Sequence, residues 1–74
     1  MRYVLTEDHI LVGEENTVFY GIAAIVLENG VPTILDCISG ITTQPEQLQI
    51  LIQKCNDSML SRIHLREVIE DFLS

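Results

Sequence analysis

The chain has 74 residues, 47% of them hydrophobic, and a positive mean hydropathy of +0.29. This is one small domain, and a chain so short buries only about 60% of the surface that its unfolded form exposes. Eleven acidic residues against four Lys and Arg give a formal net charge of −7. That balance excludes nucleic acid and anionic membrane surfaces as direct ligands, because no basic patch is present to neutralise phosphates.

Several features predict a cytoplasmic protein. The longest uncharged apolar run, Val18 to Leu27, is half of the roughly 20 residues that a membrane-spanning helix needs. Charged residues follow Met1 within a few positions, so no signal peptide is expected. Cys37 and Cys55 have no CxxC or zinc-motif spacing, and both are expected to be free thiols packed in the core.

The first segment, Arg2 to Val12, has the composition of a β-strand. Its apolar residues alternate in one phase before Glu7-Asp8 and in the opposite phase after it, as a β-bulge would produce. One bulged strand and two short strands fit equally well. The polar residues 13–16 then form a connector of hairpin length.

The stretch from Thr17 to Ile38 predicts a β-hairpin around which the sheet is built. Asn29-Gly30 is the residue pair that best tolerates the two positive φ angles of a type I′ turn. Thr17 to Glu28 is apolar on both faces, which is typical of a central strand. The two-residue loop sets the register, pairing Glu28 with Val31, Leu27 with Pro32, Ile25 with Ile34 and Ala23 with Asp36.

This register places Pro32 on the outer edge of the third strand, where its missing N–H does no harm. The predicted strand order is therefore first, second, third, with the long apolar strand in the middle. Residues 39–41 are expected to leave the sheet.

The first helix is predicted to start within residues 42–46. Thr43 and Glu46 have the spacing of a capping box, and Pro45 suits the first turn. An apolar stripe follows, and Ile50 lies outside it. Asn56-Asp57-Ser58 suits the end of the helix, where one residue commonly adopts the left-handed backbone conformation. The stripe consists of Leu48, Leu51, Ile52 and Cys55.

The last segment, Leu60 to Ser74, predicts a second amphipathic helix. Arg66 and Glu70 are four residues apart on its solvated face and are expected to pair weakly. The apolar stripe consists of Leu65, Val68, Ile69, Phe72 and Leu73.

These elements predict an α+β fold in a single domain, residues 1–74, with a three-stranded antiparallel β-meander followed by two amphipathic helices packed on one sheet face. No further segment is left to cover the other face. An exposed apolar face usually marks an interface, so a homodimer through this sheet face is expected.

The ending L-S-x-I-H-L-x-x-V-I-E-D-F-L, at Leu60 to Leu73, resembles a family of short uncharacterised bacterial proteins known as a domain of unknown function. V-F-Y-G-I at Val18 to Ile22, E-N-G at the hairpin tip and K-C-N at Lys54 to Asn56 extend the resemblance over most of the chain. It implies a cytoplasmic bacterial protein and attaches no activity, ligand or catalytic residue.

No set of residues points to catalysis, a metal or a cofactor. His64 lacks a Cys, Ser or carboxylate partner, and is interpreted as a helix-start side chain bonded to the backbone. His9 is interpreted as a solvated strand residue. Asp36, which interrupts the apolar third strand beside small residues, and Tyr20 are the other weak candidates for a ligand site. Asp36, Cys37, Cys55 and His64 have no metal-ligand spacing on one element.

The composition therefore favours a small acidic, non-enzymatic interaction or regulatory module acting as a homodimer, with a further protein partner also compatible. One alternative is a small-molecule-binding protein or enzyme with a site at the dimer interface around Asp36, Tyr20 and His64. Another is an acidic inhibitor that occupies a basic surface on another protein.

Overall fold

The computed structural model describes residues 1–74. Three antiparallel strands form one sheet in the order β1-β2-β3, and the helices follow. The predicted α+β meander followed by two helices is confirmed. The elements are β1 (Arg2–Val12), β2 (Glu15–Glu28), β3 (Val31–Thr42), α1 (Pro45–Asp57), a 3-10 turn (Arg62–His64) and α2 (Leu65–Leu73).

Both strand connections are two-residue turns. At the β2–β3 turn, Asn29 and Gly30 have φ angles of 52° and 80°, which confirms the predicted type I′ geometry. The β1–β2 turn is only Gly13-Glu14, because Val12 and Glu15 already pair, and Gly13 has a φ of 65°. The predicted four-residue connector was therefore too long.

Strand β1 is unbroken, and the expected bulge at Glu7-Asp8 is wrong. All residues from Arg2 to Val12 pair with β2 in one continuous register. The phase shift in the sequence has a different cause. In the continuous register Ile10 and Val12 lie on the sheet face opposite Tyr3 and the helices, so they do not face the core and remain 44% and 59% exposed.

The register between β2 and β3 shifts at Leu35, which forms a bulge. The pairs from Glu28 to Ile25 are as predicted, but Asp36 lies opposite Ala24 rather than Ala23, which pairs with Cys37. A bulge turns two successive side chains toward one face. Leu35 consequently packs against the core beside Asp36.

The end of β3 stays in the sheet, contrary to the expectation that residues 39–41 leave it. A second register shift lies opposite Gly21, and Gly40 has a φ of 67° there. The chain passes so close to Gly21 that a Cβ at this position would collide with the carbonyl oxygen of Ile38 and lie 2.8 Å from Thr6 Oγ1. Glycine is required at position 21 by this close approach.

Helix α1 begins with Pro45, as predicted, but the capping box does not form. The N-cap is Gln44, whose N–H donates to the Thr42 hydroxyl at 3.1 Å, while Thr43 makes no cap. The predicted stripe is confirmed, with Leu48, Ile52 and Cys55 buried and Leu51 half-buried. The residue with a left-handed conformation after the helix is Met59 (φ 54°), not one of residues 56–58.

Helix α2 packs Leu65 and Ile69 into the core, with Val68 and Phe72 half-buried. Leu73, predicted on the buried stripe, is 61% exposed because the helix ends there. The expected Arg66–Glu70 pair is also replaced. Arg66 Nη2 instead donates to Asp36 Oδ1 at 3.0 Å, and so ties α2 to β3.

The core lies on one face of the sheet, between the strands and the two helices. Tyr3, Ile22 and Ala24 contribute to it from the sheet. The helices contribute Leu48, Ile52, Cys55, Leu65 and Ile69.

The side chain of Asn56 joins α1 to the outer edge of β1. Its Oδ1 accepts the Tyr3 backbone N–H at 2.7 Å, and its Nδ2 donates to the Tyr3 carbonyl at 2.9 Å. The Tyr3 hydroxyl also donates to the Leu60 carbonyl at 2.6 Å. One asparagine thus occupies both backbone groups that Tyr3 would otherwise offer to a further strand.

Candidate functional site

The face of the sheet opposite the helices has no cover within the chain, and we call it the open face. Side chains alternate along a strand, and directly opposed residues of antiparallel strands share a face. Since Tyr3, Ile22 and Ala24 face the helices, the alternate positions form the open face. These are Arg2, Val4, Thr6, Asp8, Ile10 and Val12 of β1, Glu15, Thr17, Phe19, Gly21, Ala23, Ile25 and Leu27 of β2, and Pro32, Ile34, Cys37 and Ser39 of β3.

The open face is predominantly apolar and partly exposed. Leu27 and Ile34 are 68% and 66% exposed at one end, and Ile10 and Val12 are exposed at the other. Charged residues are few, and only Asp8 and Glu15 of the eleven acidic residues lie here. A continuous apolar surface of this kind is typical of an interaction site.

Cys37 lies on the open face and is exposed, so the prediction that it packs in the core is wrong. Its Sγ lies 3.7 Å from Ser39 Oγ on the same face. Cys55 is buried under the helices, as expected, and burial raises the pKa of its thiol. The two sulfurs therefore lie on opposite sides of the sheet and cannot share a ligand.

The outer edges of the sheet are closed by side chains at several positions. On β1 the edge is occupied by Asn56 at Tyr3. On β3, Pro32 lacks an N–H, the Leu35 carbonyl accepts from Arg62 Nη1 at 3.3 Å, and the Cys37 N–H donates to its neighbour Asp36. Blocked edges disfavour pairing with another strand, and direct association toward the open face.

Asp36, which the sequence indicated as a possible ligand residue, has a structural role. Its Oδ1 accepts from Arg66 Nη2 and from the Cys37 N–H at 2.9 Å, and its side chain points to the helix side of the bulge. Tyr20 is half-buried against the core on the same side. Because Asp36 pairs with Ala24, it lies about 13 Å along the strand from Tyr20.

The two histidines each lie near one carboxylate. His64 Nδ1 is 3.7 Å from Glu67 Oε2 at the start of α2, and His9 Nε2 is 3.6 Å from Glu7 Oε2 on β1. All four side chains are more than half exposed, so these pairs stabilise little. No three His, Cys, Asp or Glu side chains converge in a way that could hold a metal ion.

Two concave regions lie near the N-terminus. A hollow of about 630 Å³ is lined by Met1, Arg2, Ile25, Val26 and Leu27, where β2 runs past the first residue of β1. A smaller one, of about 170 Å³, lies beside the Asn56 side chain and includes Cys55 in its wall. Neither of them contains Asp36, Tyr20 or His64.

A family model matches residues 1–74, the whole length of the chain, and is described as a family of unknown function, DUF6514. The chain belongs to the DUF6514 family. This confirms the resemblance to a domain of unknown function that the helical ending indicated. No curated protein and no solved structure matches this DUF6514 chain. Neither of its helices has the length and apolar character needed to cross a bilayer.

Sequence reasoning missed two side chains whose contacts join residues far apart in the sequence. Asn56 was assigned to a helix end and Arg66 to a solvated face, although they bond to Tyr3 and Asp36. No local pattern marks such contacts, because the residues that they join are 53 and 30 positions apart. The open face, in contrast, was predictable from the sequence, because the chain has more apolar residues than two helices on one sheet face can cover.

Proposed function

We propose that the protein is a small acidic, non-enzymatic interaction module that acts as a homodimer through the open face. The single observation that carries this proposal is the exposure of Leu27 and Ile34 on a sheet face that no element of the chain covers. Burial of such surface is the main favourable contribution to most protein association. Action in the cytoplasm and a regulatory role stay predictions.

The area of the open face fits a second copy of the chain. The longest dimension of the molecule is 41 Å, and three strands about 4.8 Å apart make a face about 14 Å wide, or about 550 Å² for each copy. Two such faces in complete overlap would bury at most about 1,100 Å², which is close to the roughly 1,000 Å² expected of a specific interface. A reversible dimer of moderate affinity is therefore expected.

The charge distribution supports the same surface. Nine of the eleven acidic residues lie off the open face, on the helices, the turns and the helix side of the sheet. Face-to-face association therefore brings few like charges together. The helix surfaces remain available for a further protein partner.

A small-molecule site around Asp36, Tyr20 and His64 receives no support from this geometry. Asp36 is bonded to Arg66, and Tyr20 packs against the core on the side away from the open face. A dimer through the open face would leave both residues outside the interface.

Sedimentation equilibrium at tens of micromolar tests the proposal. The monomer has a mass of 8.4 kDa, and we expect a mass approaching twice that value. Ile34→Lys places a charge on the open face and should give a monomer. Ile63→Lys is the matched control, because Ile63 is 78% exposed next to α2 and its substitution should leave the dimer intact. A wild-type monomer at these concentrations would overturn the proposal.

A further inference from the structure

We propose that the second copy docks in an antiparallel orientation. The two-fold axis lies between the two sheets, runs perpendicular to the strands and passes over Ile22 of β2. In this arrangement β1 lies on β1 and β2 lies on β2, each with its direction reversed. The inference rests on the homodimer proposed above and adds its geometry.

The central strand is suited to this symmetry. Its open-face positions from Thr17 to Leu27, all but Thr17 non-polar, are centred on Ile22, so reversal about that point maps the set of positions onto itself. Phe19 then lies on Ile25 of the second copy, and Gly21 on Ala23. Small residues at the centre allow the two backbones to approach, while the larger residues on either side fill the gap between the sheets.

The charged residues of the open face favour this axis over the other possible one. Arg2 is paired with Ile25 and Asp8 with Phe19. Reversal about Ile22 therefore places Arg2 over Asp8 of the second copy, and the symmetry repeats this contact. Opposite charges placed in this way fix the orientation of an interface.

The alternative two-fold axis runs along the strands and places β1 on β3. We call residues that lie opposite one another across the sheet a row. Arg2 would then lie over the row of the second copy that contains Ile25 and its β3 partner Ile34. No carboxylate occupies that row on the open face, so both Arg2 side chains would lack a partner. Charge complementarity therefore selects the axis that crosses the strands.

The hollow beside Met1 supplies a second, independent fit. Ile10 is paired with Thr17, and reversal about Ile22 carries it to the row of Leu27. The hollow of about 630 Å³ has Leu27 in its wall, together with Met1 and Arg2 of the first strand. Ile10, which is 44% exposed in the single chain, would project into this hollow on the second copy.

A charge-exchange experiment tests this geometry. Arg2→Glu and Asp8→Lys should each raise the dimer dissociation constant about tenfold, because each variant opposes two like-charged pairs. An equimolar mixture of the two variants should form a heterodimer with nearly wild-type affinity, since Glu at position 2 then faces Lys at position 8 and the native pair is kept. Lys54→Glu and Glu70→Lys, which make the same charge changes on the helices, are the controls.

A second pair of variants tests the hollow. Ile10→Asn should raise the dissociation constant, whereas Leu11→Asn should not, because Leu11 is 71% exposed on the opposite face of the same strand. Sedimentation measures both, and circular dichroism confirms that each variant folds.

The outcomes separate this geometry from the homodimer itself. A wild-type chain that stays monomeric overturns the homodimer and, with it, the geometry. If the wild-type chain dimerises and Ile34→Lys prevents it, but mixing the two charge variants restores no affinity, the open-face dimer stands and the antiparallel geometry is overturned. Loss of affinity in Leu11→Asn equal to that in Ile10→Asn would also contradict it.

Discussion

Replacing Asn56 by alanine should destabilise the domain far more than its place on a helix surface suggests. The side chain makes two hydrogen bonds to the backbone of Tyr3, with Oδ1 at 2.7 Å from the N–H and Nδ2 at 2.9 Å from the carbonyl. These bonds connect the first strand to the end of α1, 53 residues later. They substitute for a fourth strand at that edge.

The expected loss follows from the two bonds. A typical intramolecular hydrogen bond contributes about 1 kcal/mol net, and a polar group left unsatisfied in a partly buried site costs about 1–3 kcal/mol. Water can reach part of this edge and offset some of the loss. We therefore expect Asn56→Ala to lower the free energy of unfolding by about 2–3 kcal/mol, a large fraction of the stability of so small a domain.

Urea unfolding followed by circular dichroism measures this difference. Wild type and variant are compared at one protein concentration, because dimerisation adds to apparent stability. Gln53→Ala is the matched control on the same helix, since Gln53 bonds only to the exposed Asp57 and should lose less than about 0.5 kcal/mol. A loss for Asn56→Ala no larger than that of the control would refute the reasoning.

Three further predictions concern pH, a close backbone contact and an ion pair. Burial, followed by the neighbouring Cys55, raises the pKa of Tyr3 above its ordinary value of 10.0, and burial raises that of Cys55 above 9.0. Stability should therefore be full below about pH 9 and fall as the pH rises further, with a shallower fall above pH 10 in Tyr3→Phe. Gly21→Ala should lower the free energy of unfolding, measured in urea, by about 1–3 kcal/mol or more, because its Cβ would collide with the backbone of β3. Arg66→Ala should cost at most about 1 kcal/mol, and less in 1 M salt, since its pair with Asp36 is exposed on the arginine side; a larger, salt-independent loss would contradict this.

The predictable parts of the fold are those that neighbouring residues determine. Asn29-Gly30 defined the β2–β3 turn, and the spacing of Leu48, Ile52 and Cys55 defined the buried side of α1. The register failed at Leu35 because a bulge depends on what packs above the strand, and no residue pattern in β3 specifies that. The false bulge in β1 has a related cause, since it assumed that every apolar residue faces the core.

The candidate site was predictable in its location and not in its details. An apolar surplus in a chain with only two helices required one uncovered sheet face, and both features are visible in the sequence alone. The positions of Arg2 and Asp8 within the face depended on the continuous register of β1. Cys37 was assigned to the core because its strand is apolar, although the bulge places it opposite Ala23 on the exposed side.

The alkylation rate of Cys37 tests the central claim most directly, because this thiol is exposed on the open face while Cys55 is buried. The rate with iodoacetamide, resolved by mass spectrometry, is measured from about 1 μM to several hundred micromolar protein, a range that spans the expected affinity. We predict that the Cys37 rate falls as the concentration rises in the wild-type chain and stays constant in Ile34→Lys. A Cys37 rate that does not change with concentration in the wild-type chain would contradict the claim that a second copy covers this face.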